Sequence, residues 1–274
     1  MGDLTALRGQ LDSYEQVVVA FSGGADSAFL AWTAHDELGA GRVVAATAVS
    51  PSLPGYERDE CAALADEWGL QWVEVATDEL EVAAYRRNDA DRCYHCKDAL
   101  MDALSPLASD RAATIVLGVN LDDLGDHRPG QRAASERGAV FPLVDSGFTK
   151  ADVRSASQRL GLRTWDKPAA ACLASRVPYG TPVTLSVLRE VEQAESALGA
   201  LGFRELRVRH YGDLARIEVP LDRLDDVVAR RTEVVDAVRG AGYRYATLDL
   251  EGLRSGNLND ALRPAGRPGS TSGS

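Results

Sequence analysis

Three stretches of this sequence carry side chains whose types and spacing can do chemistry. The first is Phe21-Ser22-Gly23-Gly24-Ala25-Asp26-Ser27, which follows a short apolar run and opens a helical pattern. Its glycines let the backbone turn tightly and expose N–H groups. Those donors, a helix N-terminal dipole and the Ser22 and Ser27 hydroxyls together make a nest for phosphate oxygens. Asp26 falls in the first helical turn, where a carboxylate is favoured, and its oxygens suit magnesium. The string is neither the lysine-containing phosphate loop nor the GxGxxG dinucleotide loop. Two glycines alone would read as a serine-capped turn; the whole Ser-Gly-Gly-x-Asp-Ser string at the first strand-to-helix junction outweighs that reading.

The second stretch is Cys93-Tyr94-His95-Cys96, and the third is Cys172 within Pro168-Ala169-Ala170-Ala171-Cys172-Leu173-Ala174-Ser175-Arg176. Cysteines at i and i+3 share one face of a helix, so Cys93 and Cys96 can serve one metal centre. A CxxC by itself fits a zinc half-site, a redox pair, a cluster half-site or chance. With Cys172 added, three thiolates suit an iron–sulfur cluster with one iron left open, or a zinc site completed by His95 or water. Alternatively, Cys172 is unrelated to the pair. Arg176 is a cation able to lower the pKa of a nearby thiol. Cys61 is different: it shares a helical stripe with Leu64, Ala65 and Trp68, and reads as a small core hydrophobe.

Something must position these groups. Residues 17–21, 42–49, 71–75 and 114–119 read as strands, with helices over 26–38, 56–68, 91–107 and 149–160, the last capped by Thr149. That alternation predicts an α/β domain with a doubly wound, mostly parallel sheet over residues 1–178. Pro168, Pro178, Gly180 and Pro182 mark an interdomain loop. Residues 179–260 read as a smaller α+β domain: helix 185–201, strands 205–210 and 215–219, helix 221–238 and strand 243–250. Residues 261–274 are Gly/Ser-rich and read as a disordered tail.

The chain has 274 residues and 45% apolar side chains, enough for a sizeable core. Its net charge of −11 disfavours polyanionic partners such as nucleic acid, while leaving room for a small phosphorylated substrate. No stretch has the length of a signal or membrane segment, so a cytoplasmic protein without a membrane partner is expected. Four cysteines do not make a disulfide framework.

The nucleotide-type loop resembles that of the ATP pyrophosphatase (PP-loop) superfamily, whose members split ATP between the α and β phosphates. The resemblance narrows further. The loop, Arg92-Cys93-Tyr94-His95-Cys96-Lys97, Gly118-Val119-Asn120-Leu121-Asp122-Asp123, Gly125-Asp126-His127-Arg128-Pro129-Gly130, Cys172 to Gly180 and Arg207-Val208-Arg209-His210 together look like the LarE family. LarE enzymes are ATP-dependent sulfur transferases that help build the nickel-pincer nucleotide of lactate racemase. The resemblance implies that each carboxylate of pyridinium-3,5-biscarboxylic acid mononucleotide is adenylated, with pyrophosphate leaving. Sulfur then displaces AMP. It also implies ATP and magnesium at Ser22, Gly23, Gly24, Asp26 and Ser27, with Lys97 and Arg128 on the phosphates.

Two sulfur sources occur in such enzymes. A cysteine at the position of Cys172 can surrender its own sulfur, or three cysteines can hold a 4Fe–4S cluster bearing an extra sulfide. The presence of Cys93 and Cys96 beside Cys172 points to the cluster branch. Alternation along a strand puts Arg207 and Arg209 on one face, where two guanidinium groups suit the substrate phosphate; Arg204 and His210 extend the basic stripe. Glu195 and Glu218 match acidic family positions near the transfer site and are weak metal-ligand candidates; taken alone, they read as exposed charges. Higher oligomers are typical of the family, so a homo-oligomer is expected. The rival readings are a ligase of the same superfamily with structural zinc, a tRNA thiolase, and a non-catalytic sensor.

Overall fold

The structure, a computed structural model, describes residues 2–124, 129–168 and 171–254. Contacts divide the chain into two units: Met1–Arg86 with Asp91–Cys172, and Arg87–Ala90 with Leu173–Ser274. Among the described residues, no helix is long and apolar enough to cross a membrane.

The first unit runs α1 (Leu4–Asp12), β1 (Val17–Ala20), α2 (Ala25–Leu38), β2 (Val43–Val49), α3 (Gly55–Trp68), β3 (Gln71–Ala76), α4 (Ala83–Arg86), α5 (Arg92–Ser109), β4 (Thr114–Leu117), α6 (Pro129–Glu136), α7 (Pro142–Asp145) and α8 (Lys150–Arg159). The strands form one parallel sheet in the order β3-β2-β1-β4. Central β1 reads Val-Val-Val-Ala because a parallel strand is covered on both faces. Val17 and Val19 point to one layer, with Phe29, Leu30, Leu64 and Val153. Val18 points to the other, with Leu100, Met101 and Leu104 of α5. Burying each such side chain contributes about 1.5–3 kcal/mol. This is an α/β, doubly wound PP-loop-like arrangement, as the alternation predicts. Thr149 caps α8 by accepting from Asp152 N at 3.1 Å, while Asp152 reciprocates at Thr149 N.

The second unit holds α9 (Leu185–Ala200), β5 (Arg207–Tyr211), β6 (Leu214–Glu218), α10 (Leu224–Ala229), α11 (Arg231–Gly240) and β7 (Tyr245–Leu248). Its sheet is mixed: β5 and β6 form an antiparallel hairpin, and β7 runs parallel to β6. The core gathers Leu198, Phe203, Val208, Ile217, Val234 and Val238. One expectation is corrected here. Residues 221–238 are not a single helix: a 3-10 turn at Leu221–Arg223 precedes α10, and the chain breaks again at Arg230, whose ψ of 24° leaves the helical region. The Arg230 guanidinium bonds the carbonyl of Leu201, and the break lets α10 and α11 bury Val227 and Val234 separately.

Candidate functional site

The loop from Ser22 to Ser27 leaves the carboxyl end of central β1 and enters α2, whose N-cap is Gly24. Gly23 has φ +67°, and a Cβ there would lie 2.9 Å from Cys61 Sγ, so only glycine fits. The Ser22 N–H donates to Ser27 Oγ at 3.2 Å, and the two hydroxyls lie 3.0 Å apart. The first-turn N–H groups of α2 have no acceptor within the helix and face the loop as donors suited to an anion. Gly118, just beyond β4, packs so closely that a Cβ would sit 2.8 Å from Ser27 N.

Asp26 stands at the mouth of this loop. Its Oδ1 accepts from Asn120 Nδ2 at 3.1 Å. Burial pushes its pKa up, opposed by the Asn120 hydrogen bond; Asp123 raises it further, and Lys150 and Arg154 draw it back. Asn120 and Asp123 cap the turn Leu121–Asp123 for each other, and Lys150 Nζ lies 3.4 Å from Asp123 Oδ1. Two carboxylates with two cations close by, beside the N-terminus of α2, suit a hard cation and a polyphosphate. Lys167 joins them: Nζ donates to Gly23 O at 3.1 Å and to Glu57 Oε2 at 2.7 Å.

The cysteines fall into two kinds. Cys61 is fully buried beneath the loop, as its helical stripe predicts, and burial pushes its thiol up to about 11. Cys93 is exposed; Cys96 and Cys172 are half-buried. Burial pushes the Cys96 thiol up to about 12, and Cys172, Glu79 and Cys93 add to the rise against Lys97. Cys172, remote in sequence, is thus among the groups whose charge acts on Cys96. Tyr85 belongs to the same neighbourhood: its hydroxyl sits 2.7 Å from Ser52 Oγ, and burial, then Cys172, raise its pKa. Buried Glu79 accepts from Ser50 through Oε1, while its Oε2 has no hydrogen-bond partner among the described residues. Among the described residues, no three His, Cys, Asp or Glu side chains converge to hold a single metal ion.

The second unit carries an arginine cluster. Glu195 and Glu218 are 7% and 0% exposed, which corrects their reading as surface charges. Glu195 takes the Arg176 guanidinium through two bonds, at 2.9 and 3.0 Å, and accepts from Val208 N. Glu218 pairs with both Arg209 and Arg216 at 2.9 Å. Both carboxylates are thus occupied by arginines. Arg207 is half-buried; burial lowers its pKa, and Arg176 and Arg209 lower it further. Arg216 also lies 3.4 Å from Asp249, so four arginines face three carboxylates, and Arg207 stands beside Arg176 and Arg209. His210 is not gathered with them: it pairs with Tyr243 at 3.2 Å and lies 3.8 Å from Glu190. Arg204 is exposed. Lys97 is half-buried on α5, and Arg128 lies outside the described residues.

Sequence reasoning gave no role to Lys167, Tyr85, Glu79 or Arg216. Only Lys167 carried a cue, since an Asp-Lys-Pro string in a loop is unusual punctuation; the others depend on contacts between distant segments.

The fold and loop define a PP-loop-like α/β protein with an added mixed-sheet unit. No protein-family model matches the chain. It is 44% identical over 262 residues to an uncharacterized protein of Synechocystis, covering 94% of this chain and 97% of that one. It is 39% identical over 256 residues to the pyridinium-3,5-bisthiocarboxylic acid mononucleotide synthase of Lactiplantibacillus plantarum, covering 93% of each chain. A protein of Methanocaldococcus jannaschii is 24% identical over 242 residues, 88% of this chain and 92% of that one. The chain belongs to the family of the pyridinium-3,5-bisthiocarboxylic acid mononucleotide synthase, the LarE family.

Proposed function

We propose that this protein is an ATP-dependent sulfur transferase that converts the two carboxylates of pyridinium-3,5-biscarboxylic acid mononucleotide into thiocarboxylates. The carrying observation is the 39% identity over 93% of the chain to a relative named as the bisthiocarboxylate synthase, together with the Ser22–Ser27 loop at the carboxyl end of β1.

A carboxylate is a poor electrophile, so adenylation comes first. ATP places its leaving pyrophosphate on the N–H groups of Gly24 to Ser27 and its magnesium at Asp26. Ser22 and Ser27 add hydroxyl donors, and Lys97 and Arg128 add charge. The substrate carboxylate oxygen attacks the α phosphorus, and the bond to pyrophosphate breaks. A sulfur nucleophile then attacks the acyl carbon, and AMP leaves with the bonding pair.

The cysteine set fits a 4Fe–4S cluster in its donor chemistry. Cys93, Cys96 and Cys172 are soft ligands, the first two sharing one face of α5, and a cluster takes one thiolate per iron and needs no convergence on one ion. Bound there, the cluster would supply an iron without a protein thiolate, on which an added sulfide is carried. Cys96, whose thiol burial favours over thiolate, must release its proton as it ligates. Arg207 receives the phosphate of the substrate: an anion relieves the crowding of Arg207 by Arg176 and Arg209, while Glu218 keeps Arg209 in place. Glu195 and Glu218, already paired with arginines, support that geometry.

The test of the sulfur source is anaerobic purification with iron and acid-labile sulfide counts. Brown protein with about four irons per chain, lost in Cys93→Ala, Cys96→Ala or Cys172→Ala, supports the cluster. Colourless protein that binds no iron after reconstitution overturns it, and a loss of H₂S from Cys172 upon turnover would then identify a sacrificial donor.

A further inference from the structure

We propose that Lys167 is a positioning residue of the nucleotide loop, fixing the Gly23–Gly24 peptide so that the Gly24 N–H faces the incoming pyrophosphate group. The inference rests on the reading of Ser22–Ser27 as the ATP loop.

The Lys167 side chain is 18% exposed, and its ammonium holds two acceptors: Gly23 O at 3.1 Å and, at 2.7 Å, Oε2 of Glu57, whose side chain is 7% exposed. In a trans peptide the C=O and the next N–H point in opposite directions. Holding the Gly23 carbonyl from beneath therefore turns the Gly24 N–H to the opposite, outer side. Without that hold the peptide is free to rotate, since a glycine at φ +67° has the mirror-image backbone conformation equally open to it. Packing from Cys61 Sγ, 2.9 Å from the site of a Gly23 Cβ, shapes the turn, but a sulfur donates too weakly to orient a carbonyl. Lys167 is itself held at both ends. Glu57 on α3 takes the ammonium, and Arg154 on α8 donates to the backbone carbonyls of Lys167 at 2.9 Å and Trp165 at 3.2 Å. The same lysine begins the segment that leads to Cys172, so one side chain ties the loop to that segment's start.

A bare charge effect and a positioning effect predict opposite results at Glu57. If only charge counts, Glu57→Gln removes a negative group near an anion site and tightens binding. If Lys167 must be anchored, the same substitution loosens the loop and weakens binding. Magnesium pyrophosphate is the probe, with affinity measured by calorimetry on the full chain. Glycine-selective ¹⁵N labelling follows the Gly24 amide. We expect Lys167→Met to weaken binding roughly ten- to a hundredfold, the scale of a charged hydrogen bond, and Glu57→Gln to weaken it by a smaller factor. The Gly24 amide shift upon pyrophosphate addition shrinks in both. Should Lys167→Met fail to fold, Glu57→Gln and its Gly24 shift decide the matter. Unchanged or tighter binding in Glu57→Gln overturns the positioning role. Absence of pyrophosphate binding by the wild-type chain overturns the ATP-loop reading on which the role rests.

Discussion

Asp26 is where burial and function oppose each other. Its pKa is raised, first by burial, so the native state binds a proton more readily than the unfolded chain. Stability from this group therefore falls as pH rises from the ordinary carboxylate range through the raised value. Above that raised value the carboxylate is a standing destabilisation. Asp26→Asn is expected to raise the melting temperature of the unliganded protein by a few degrees while abolishing ATP-dependent pyrophosphate release; lower melting with normal release would contradict this. The thiols separate similarly. Cys93 is exposed, whereas burial holds Cys96 protonated and Cys61 lies inside the core. Iodoacetamide should therefore modify Cys93 of the metal-free protein well before the other two. Peptide mass mapping reads the order, and early labelling of Cys96 would refute it.

Between elements, the hairpin β5–β6 is joined by charge where a core would ordinarily be apolar. Glu218 is fully buried between Arg209 and Arg216. Glu218→Ala takes the carboxylate from the buried Arg209 guanidinium, while Arg216 keeps Asp249, and should destabilise the protein by about 3–5 kcal/mol, measured by urea unfolding. For the same reason Arg207, not Arg209, is the clean test of phosphate recognition. Arg207→Glu should raise the substrate KM strongly with little change in melting; an unchanged KM would remove the phosphate role. Asn88 shows the same economy in a turn. Held at φ +56°, its amide donates to the carbonyls of Val177, Pro178 and Thr181. Element boundaries were readable where apolar period and punctuation agree, as at the Gly24 and Thr149 starts of α2 and α8. They failed at Arg230, where the break comes from backbone conformation rather than from proline or glycine. The burial of Glu195 and Glu218 was equally hidden, because a carboxylate's surroundings depend on arginines from other segments.

At the scale of the whole molecule, the alternation of strands and helices was enough to place the Ser22–Ser27 loop after the first strand, while the central position of that strand comes from the sheet order β3-β2-β1-β4. Sequence motifs also named the cysteines, but could not say that the charge of Cys172 acts on Cys96, since that depends on the path of the intervening chain. The net charge of −11 opposes polyanion binding. A gel-shift titration at physiological salt should show no tRNA complex, and a salt-sensitive complex would instead favour a tRNA-directed activity. The central claim is sulfur transfer to the nucleotide. Its direct test is to incubate the cluster-reconstituted protein anaerobically with pyridinium-3,5-biscarboxylic acid mononucleotide, magnesium, ATP and sulfide, and to weigh the nucleotide by mass spectrometry. The account predicts one oxygen-to-sulfur exchange per carboxylate, dependent on ATP and absent in Asp26→Asn. A nucleotide recovered unchanged in mass while the protein carries a full cluster would contradict it.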